Sequence, residues 1–169
     1  MTTIASKDRI MASDSCWTDA NWLVGTSKNK IIRLKSGALL GEAGDNDSRA
    51  VVKLLQGVKT FDQMPTALEL AACCVDYAAI ILFPNGEMAQ ISIEREQSVE
   101  MAYIAGAWPV NRGMTAVGSG AQVAIGAMAS GKTASQAVAI ACAWDPNSKL
   151  PVHEATVVVA PVRRVGRQK

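Results

Sequence analysis

The pattern of short apolar runs constrains the fold more than any other feature of this sequence. Ala79-Ile80-Ile81-Leu82-Phe83, the turn Pro84-Asn85-Gly86 and residues 88–93 spell a β-hairpin, two β-prone runs joined by residues made for a turn. Two more hairpins are expected ahead of it. One pairs residues 2–5 with 10–12 around Lys7-Asp8-Arg9, and the other pairs 30–34 with 38–41 around Lys35-Ser36-Gly37. Between hairpins, Asp45-Asn46-Asp47-Ser48 offers N-cap side chains to Ala50, Val51, Leu54, Leu55 and Val58, which are spaced as one helical face. A shorter helix is expected to start near Pro65 and run to Cys74. Residues 115–118 and 156–162 read as strands, and 121–129 and 133–144 as helices separated by Gly131. Strands and helices alternate in blocks, so antiparallel sheets with segregated helices are favoured over a parallel βαβ array.

The remaining composition narrows the chemistry. The chain has 169 residues, 49% of them hydrophobic, which suits one domain over 1–162 with a basic tail over 163–169. Arg163, Arg164, Arg167 and Lys169 hold four of its basic charges; without them the net charge of +2 becomes −2. No nucleic-acid partner is implied. Adjacent Cys73 and Cys74, with Cys16 and Cys142, lie in apolar surroundings and are expected to be reduced and buried. One histidine and no CxxC or HExxH leave no zinc framework, so neither metal nor cofactor is expected. No run reaches the ~18 apolar residues of a membrane span, and no leader is recognised, so a soluble cytoplasmic protein is expected.

Gly126-Ala127-Met128-Ala129-Ser130-Gly131-Lys132-Thr133 satisfies the phosphate-loop pattern GxxxxGK[ST]. The 36 residues after Thr133 cannot supply the rest of a doubly wound sheet, however, and no apolar strand ends in the Asp that would hold magnesium. A helix, a glycine-capped turn and a second helix, with Lys132 in solvent, is the better reading.

The sequence opens Met1-Thr2-Thr3-Ile4. Removal of Met1, expected before a small residue, would leave Thr2 with a hydroxyl and an α-amine of unperturbed pKa about 7.7–8.0. Such a residue is nucleophile and general base in one. Asp14 follows the second strand, Lys30 comes sixteen residues later, and Gly44 fourteen beyond that. With Leu40-Gly41-Glu42-Ala43-Gly44-Asp45, Val117-Gly118-Ser119-Gly120 and Trp144-Asp145-Pro146-Asn147-Ser148, this order resembles the proteasome β-subunit and bacterial HslV (ClpQ) family of N-terminal threonine hydrolases. The resemblance covers nearly the whole chain.

It implies an α+β fold, a four-layer αββα sandwich of two antiparallel sheets flanked by helices, and a threonine-type endopeptidase. Thr2 would attack through Oγ, with Lys30 and Asp14 placing positive charge beside it. The Gly44 N–H would form the oxyanion hole, and Ser119, Asp145 and Ser148 would orient the amine. Glu42, two residues before Gly44 on the same strand face, would line the pocket for the residue before the scissile bond and favour a basic side chain; Lys28 and Asn46 would also contact substrate. The partners implied are a polypeptide, further copies of the chain in a ring or double ring, and an ATPase unfoldase. The segment before residues 79–93 is shorter than in the family, with room for only a short second helix. Two alternatives are a catalytically silent assembly subunit that retains Met1 and a hydrolase of small amides.

Overall fold

A computed structural model describes residues 2–19, 22–44, 48–96 and 102–158. Strands β1 (Thr3–Lys7) and β2 (Ile10–Ser13) form the first hairpin, turning through Asp8 and Arg9 at φ 52° and 65°. Two positive φ values in a two-residue loop give the twist that paired strands need. A ribbon of β3 (Trp17–Asp19) and β4 (Trp22–Gly25) follows, in a stretch whose polarity reads as loop. β5 (Ile31–Arg33) and β6 (Leu39–Gly44) turn through Gly37 at φ 88°.

Of the side chains expected to cap the first helix, those of residues 45–47 lie outside the described residues. Ser48 occupies the cap position of α1 (Arg49–Leu55) without a side-chain cap bond, and Val58 lies beyond the helix. The second helix is shorter than expected. α2 covers Ala67–Ala71, and Thr66 rather than Pro65 starts it, in a reciprocal capping box with Glu69. Soon after it Cys74 turns to φ 53°. The clearest hairpin of the sequence is β7 (Tyr77–Leu82) and β8 (Met88–Arg95), and the chain then adds an unforeseen strand, β9 (Tyr103–Pro109). β10 (Met114–Gly118), α3 (Ala121–Ala129) and α4 (Ala134–Trp144) match expectation closely. The GxxxxGK[ST] run is the corner between α3 and α4: Gly131 has φ 89°, Thr133 caps α4 with Gln136, and the exposed Lys132 accepts from Lys7 Nζ through its carbonyl at 3.2 Å. β11 (His153–Thr156) comes earlier than the expected 156–162; residues 159–169, including the basic tail, lie outside the described residues.

The strands make two larger antiparallel sheets, ordered β10-β1-β2-β11 and β5-β6-β7-β8-β9, beside the β3-β4 ribbon. Alternation along the strands sorts apolar side chains into three layers. Leu40, Ala79, Ile81, Ile91 and Ile93 face α1 and α2, burying Val51, Leu55 and Leu70. Ala5, Ala12 and Ala116 face α3 and α4. Ile4, Met11, Leu39, Ile80 and Leu82 fill the space between the sheets. This is the αββα sandwich. The sheets pack tightly at Gly41, where a Cβ would lie 2.6 Å from Ile4 Cγ2 and 2.7 Å from Met11 Sδ. All four cysteines are free thiols, but only Cys16 is buried; Cys73 and Cys142 are half-buried and Cys74 is exposed, correcting the expectation that all lie inside. Cys74 is drawn out by the turn that ends α2.

Candidate active site

Three element ends meet at one mouth of the space between the sheets. Thr2 precedes β1, Asp14 follows β2 and Lys30 precedes β5, and all three are buried, at 4%, 0% and 7% exposure. Lys30 Nζ lies 2.6 Å from Asp14 Oδ1 and also donates to Thr2 Oγ1, which itself bonds Asp14 Oδ1. The Thr3 N–H donates to the same Asp14 oxygen at 2.9 Å, while Oδ2 accepts from Cys16 N at 2.8 Å and Lys149 N at 3.2 Å. A buried carboxylate is tolerable only when so fully bonded. Burial lowers the Lys30 pKa from its usual 10.5, against the opposing hydrogen bond and charge of Asp14. The result is a cation held within hydrogen-bond reach of a threonine hydroxyl.

A second network runs under the same residues. Asp145, at the end of α4, accepts from Ser119 Oγ and Ser148 Oγ at Oδ2, each at 2.6 Å. Ser148 Oγ also meets Thr3 Oγ1 at 2.6 Å, and Ser119 Oγ lies 3.4 Å from the Thr2 carbonyl oxygen. Burial pushes the Asp145 carboxyl up, but the two serines and the Asn147 N–H outweigh it and hold the pKa below the ordinary 3.8. The glycines beside Ser119 leave room for the amino-terminal segment. At φ 93°, Gly118 lies so close to the Thr2 carbonyl that a Cβ would overlap it, and one on Gly120 would run into Thr3 Oγ1. The spacing of Gly118-Ser119-Gly120 is legible in the sequence; this cradling of Thr2 and Thr3 is not.

Gly44 ends β6 at φ 142°, where a Cβ would lie 2.5 Å from the Asp76 carbonyl oxygen. Glu42 shares its strand face and is half-buried, its Oε1 accepting from Tyr77 Oη at 2.9 Å. Nothing in the sequence pattern pointed to Tyr77, 35 residues away, which reaches Glu42 because β6 and β7 are neighbours. Burial, then the Glu42 charge and hydrogen bond, raise the Tyr77 pKa well above 10.0, so the phenol stays protonated as a donor. Lys28 is exposed, with Nζ 5.9 Å from the Trp17 ring centroid. Asn46 lies outside the described residues. Thr3, Cys16 and Lys149 are further participants that sequence reasoning missed; all three act through backbone N–H groups, which carry no side-chain signature. Among the described residues, no group of three or more His, Cys, Asp and Glu could hold a metal ion, and no helix is long and apolar enough to cross a membrane.

No protein-family model matches the sequence, and no curated protein matches it. Solved structures do match. Thiobacillus denitrificans BPH aligns with 95% of this chain and 98% of its own at a TM-score of 0.63 and 16% identity. The same protein in complex with epoxomicin gives 0.65 at 16% identity, over 95% and 99% of the two chains. Eukaryotic HslV from Trypanosoma brucei gives 0.66 at 19% identity, over 91% and 97%. The chain therefore has the fold of these proteins along almost its full length.

Proposed function

We propose that this chain belongs to the proteasome/HslV family and, once Met1 is removed, works as an N-terminal threonine peptidase. The observation that carries the reading is the buried Lys30–Asp14 pair on Thr2 Oγ1. Cleavage of the Met1–Thr2 bond turns the Thr2 nitrogen into an amine on the same residue as the hydroxyl. The Lys30 charge favours ionisation of that hydroxyl and loss of a proton from the amine. The amine takes the Oγ proton as Oγ attacks the carbonyl carbon of a peptide bond, and the Gly44 N–H donates to the oxyanion that forms. Collapse expels the leaving amine with that proton and leaves an ester on Thr2. Water, deprotonated by the same amine, hydrolyses the ester. Ser119, Asp145 and Ser148 hold the Thr2–Thr3 backbone and orient the amine.

Glu42 sets the substrate: its carboxylate, fixed by Tyr77, selects a basic side chain before the scissile bond, and Lys28 and Asn46 contribute to substrate binding. The substrates are polypeptides, the working form is an oligomer of this chain, and the four free thiols fit a reducing cytoplasm.

The test is labelling by epoxomicin, the compound bound in one structure of this fold, on a preparation shown by intact mass to lack Met1. Labelling of the native chain and not of Thr2→Ala is expected. A chain lacking Met1 that takes no label at Thr2 overturns the proposal, and one that retains Met1 in its mature form supports a silent assembly subunit instead.

A further inference from the structure

At β9 the two sheets cease to match. Gln90 on β8 still reaches across to Thr115 and Ala116 of β10, at 2.6 and 3.2 Å. On the same face of β9, Ile104 and Trp108 have nothing above them among the described residues and are 61% and 55% exposed. A groove of about 420 Å³ runs along this overhang, bordered by Ser92, Glu94, Ile104 and Trp108. The opposite face of β9 is anchored, since Tyr103, Ala105 and Ala107 pack into the layer beneath α2. Among the described residues the strand is therefore anchored on one face, with its other face and one edge left without a neighbour.

The edge has a definite hydrogen-bonding pattern. Glu96 N donates to Ala102 O at 2.8 Å and Val110 N to Met88 O at 2.9 Å, with an unbroken β8–β9 register between them. Antiparallel pairing alternates, so the even-numbered residues of β9 bond to β8 and the odd-numbered ones point outward. The N–H groups of Tyr103, Ala105 and Ala107, with the carbonyls of these residues and Pro109, face away from the sheet. No residue of β9 is charged. Exposed edges usually carry a charge, a proline, a bulge or a cover that prevents pairing; among the described residues this one has only Pro109, at its last position.

We propose that β9 pairs antiparallel with β9 of a second copy of this chain, about a two-fold axis at Gly106. Only with Gly106 opposite its own copy does the whole of Tyr103–Pro109 overlap. In that register Ala105 and Ala107 exchange N–H···O bonds with Ala107 and Ala105 of the second copy, and each Tyr103 N–H meets a Pro109 carbonyl. The partial charges along the edge are thus self-complementary, as an isologous contact requires. Pro109, which has no N–H to offer, falls at the end of the ladder. On the open face Ile104 comes to lie opposite Trp108 of the second copy, so each exposed apolar side chain gains an apolar neighbour. Gly106 makes space at the axis: its own Trp108 ring already lies over it, 2.5 Å from where a Cβ would stand.

The register makes the test specific. The variant Ile104→Cys/Trp108→Cys places two thiols opposite each other in a non-hydrogen-bonded pair, where Cβ atoms approach to about 4.5–5.5 Å. Diamide, taking two electrons and two protons from each thiol pair, is expected to form a covalent dimer in the double variant, above the level given by the parent chain and by either single variant. Within one chain these positions are about 13 Å apart along the strand and cannot bridge. Separately, Trp108→Lys is expected to lower the mass measured by light scattering, because a lysine opposite Ile104 of the second copy weakens the contact that joins the two copies. An unchanged mass in Trp108→Lys, a double variant that cross-links no better than its controls, or single variants that cross-link equally well would each overturn the pairing. None of these readouts depends on Thr2, so the pairing and the peptidase reading stand or fall separately.

Discussion

Asp14→Asn removes one charge and almost no volume, and its cost follows from the contacts of the carboxylate. Oδ1 faces Lys30 Nζ and the Thr3 N–H, and Oδ2 faces the N–H groups of Cys16 and Lys149. An asparagine amide has one acceptor and one donor end. Whichever way it turns, its NH2 group meets two donors, and Lys30 keeps its charge with no counter-ion. Breaking a buried ion pair by removing one partner costs about 3–5 kcal/mol. At 0% and 7% exposure neither group can recover that from water. For a chain of this length the melting temperature should fall by about 6–20 °C.

Urea unfolding at pH 7, followed by circular dichroism, measures the difference directly. Asp14→Asn/Lys30→Met should be the more stable of the two variants by at least about 1 kcal/mol, since an apolar side chain replaces the stranded cation. The pH dependence has a definite sign. Burial leaves the folded-state Lys30 pKa below the unfolded 10.5, so the protonated form is penalised in the fold. That penalty is complete below the folded pKa and disappears as pH rises through it towards 10.5. Asp14→Asn should therefore regain stability on the alkaline side, more strongly than the native chain. If Asp14→Asn unfolds within about 1 kcal/mol of the native chain, or Lys30→Met worsens it, the pair is not the buried, mutually dependent unit described.

Gly118→Ala should slow epoxomicin labelling by more than tenfold and lower the melting temperature, because its Cβ displaces the Thr2 carbonyl and φ 93° is costly for alanine. Tyr77→Phe should cost about 1.5–3 kcal/mol in urea unfolding, the range for a hydrogen bond to a charged group. Glu42→Gln should leave the fold intact and reduce cleavage after Arg or Lys relative to Leu by about tenfold, or ~1.4 kcal/mol, in peptide-substrate assays. The depressed Asp145 pKa contributes stability that is present above the unfolded value of 3.8 and lost as pH falls through the folded one. An acid titration of Asp145→Asn should accordingly lack part of the native chain's loss below about pH 4.

Much of the local structure is legible because it rests on neighbours in the chain. The 79–93 hairpin follows from its Pro-Asn-Gly turn, and α4 from Thr133 and Gln136, which form a capping box. The same signature at Thr66 and Glu69 gives the true start of α2, three residues apart and easily overlooked beside Pro65. β9 is not legible because Ala105, Gly106 and Ala107 at its centre lack strong strand preference; its place comes from pairing with β8 and packing on α2. The last strand was expected too late because the β-prone valines beyond Thr156 outweigh His153-Glu154-Ala155-Thr156 in propensity, whereas register with β2 selects the latter.

The same division holds at the site. The order and spacing of Thr2, Asp14, Lys30, Ser119, Asp145 and Ser148 are properties of the chain, and so is the block pattern that makes antiparallel sheets with segregated helices. Their convergence is not. It arises because β1 lies between β2 and β10, which brings Thr2 beside Asp14 on one side and Gly118-Ser119-Gly120 on the other, and because the two sheets pack closely enough at Gly41 for Lys30 to cross between them. Tyr77 on Glu42, the backbone donors to Asp14 and the open edge of β9 belong wholly to the tertiary structure. Hydrogen bonds between residues far apart in sequence, and edges left without a partner, exist only once distant strands have been set side by side.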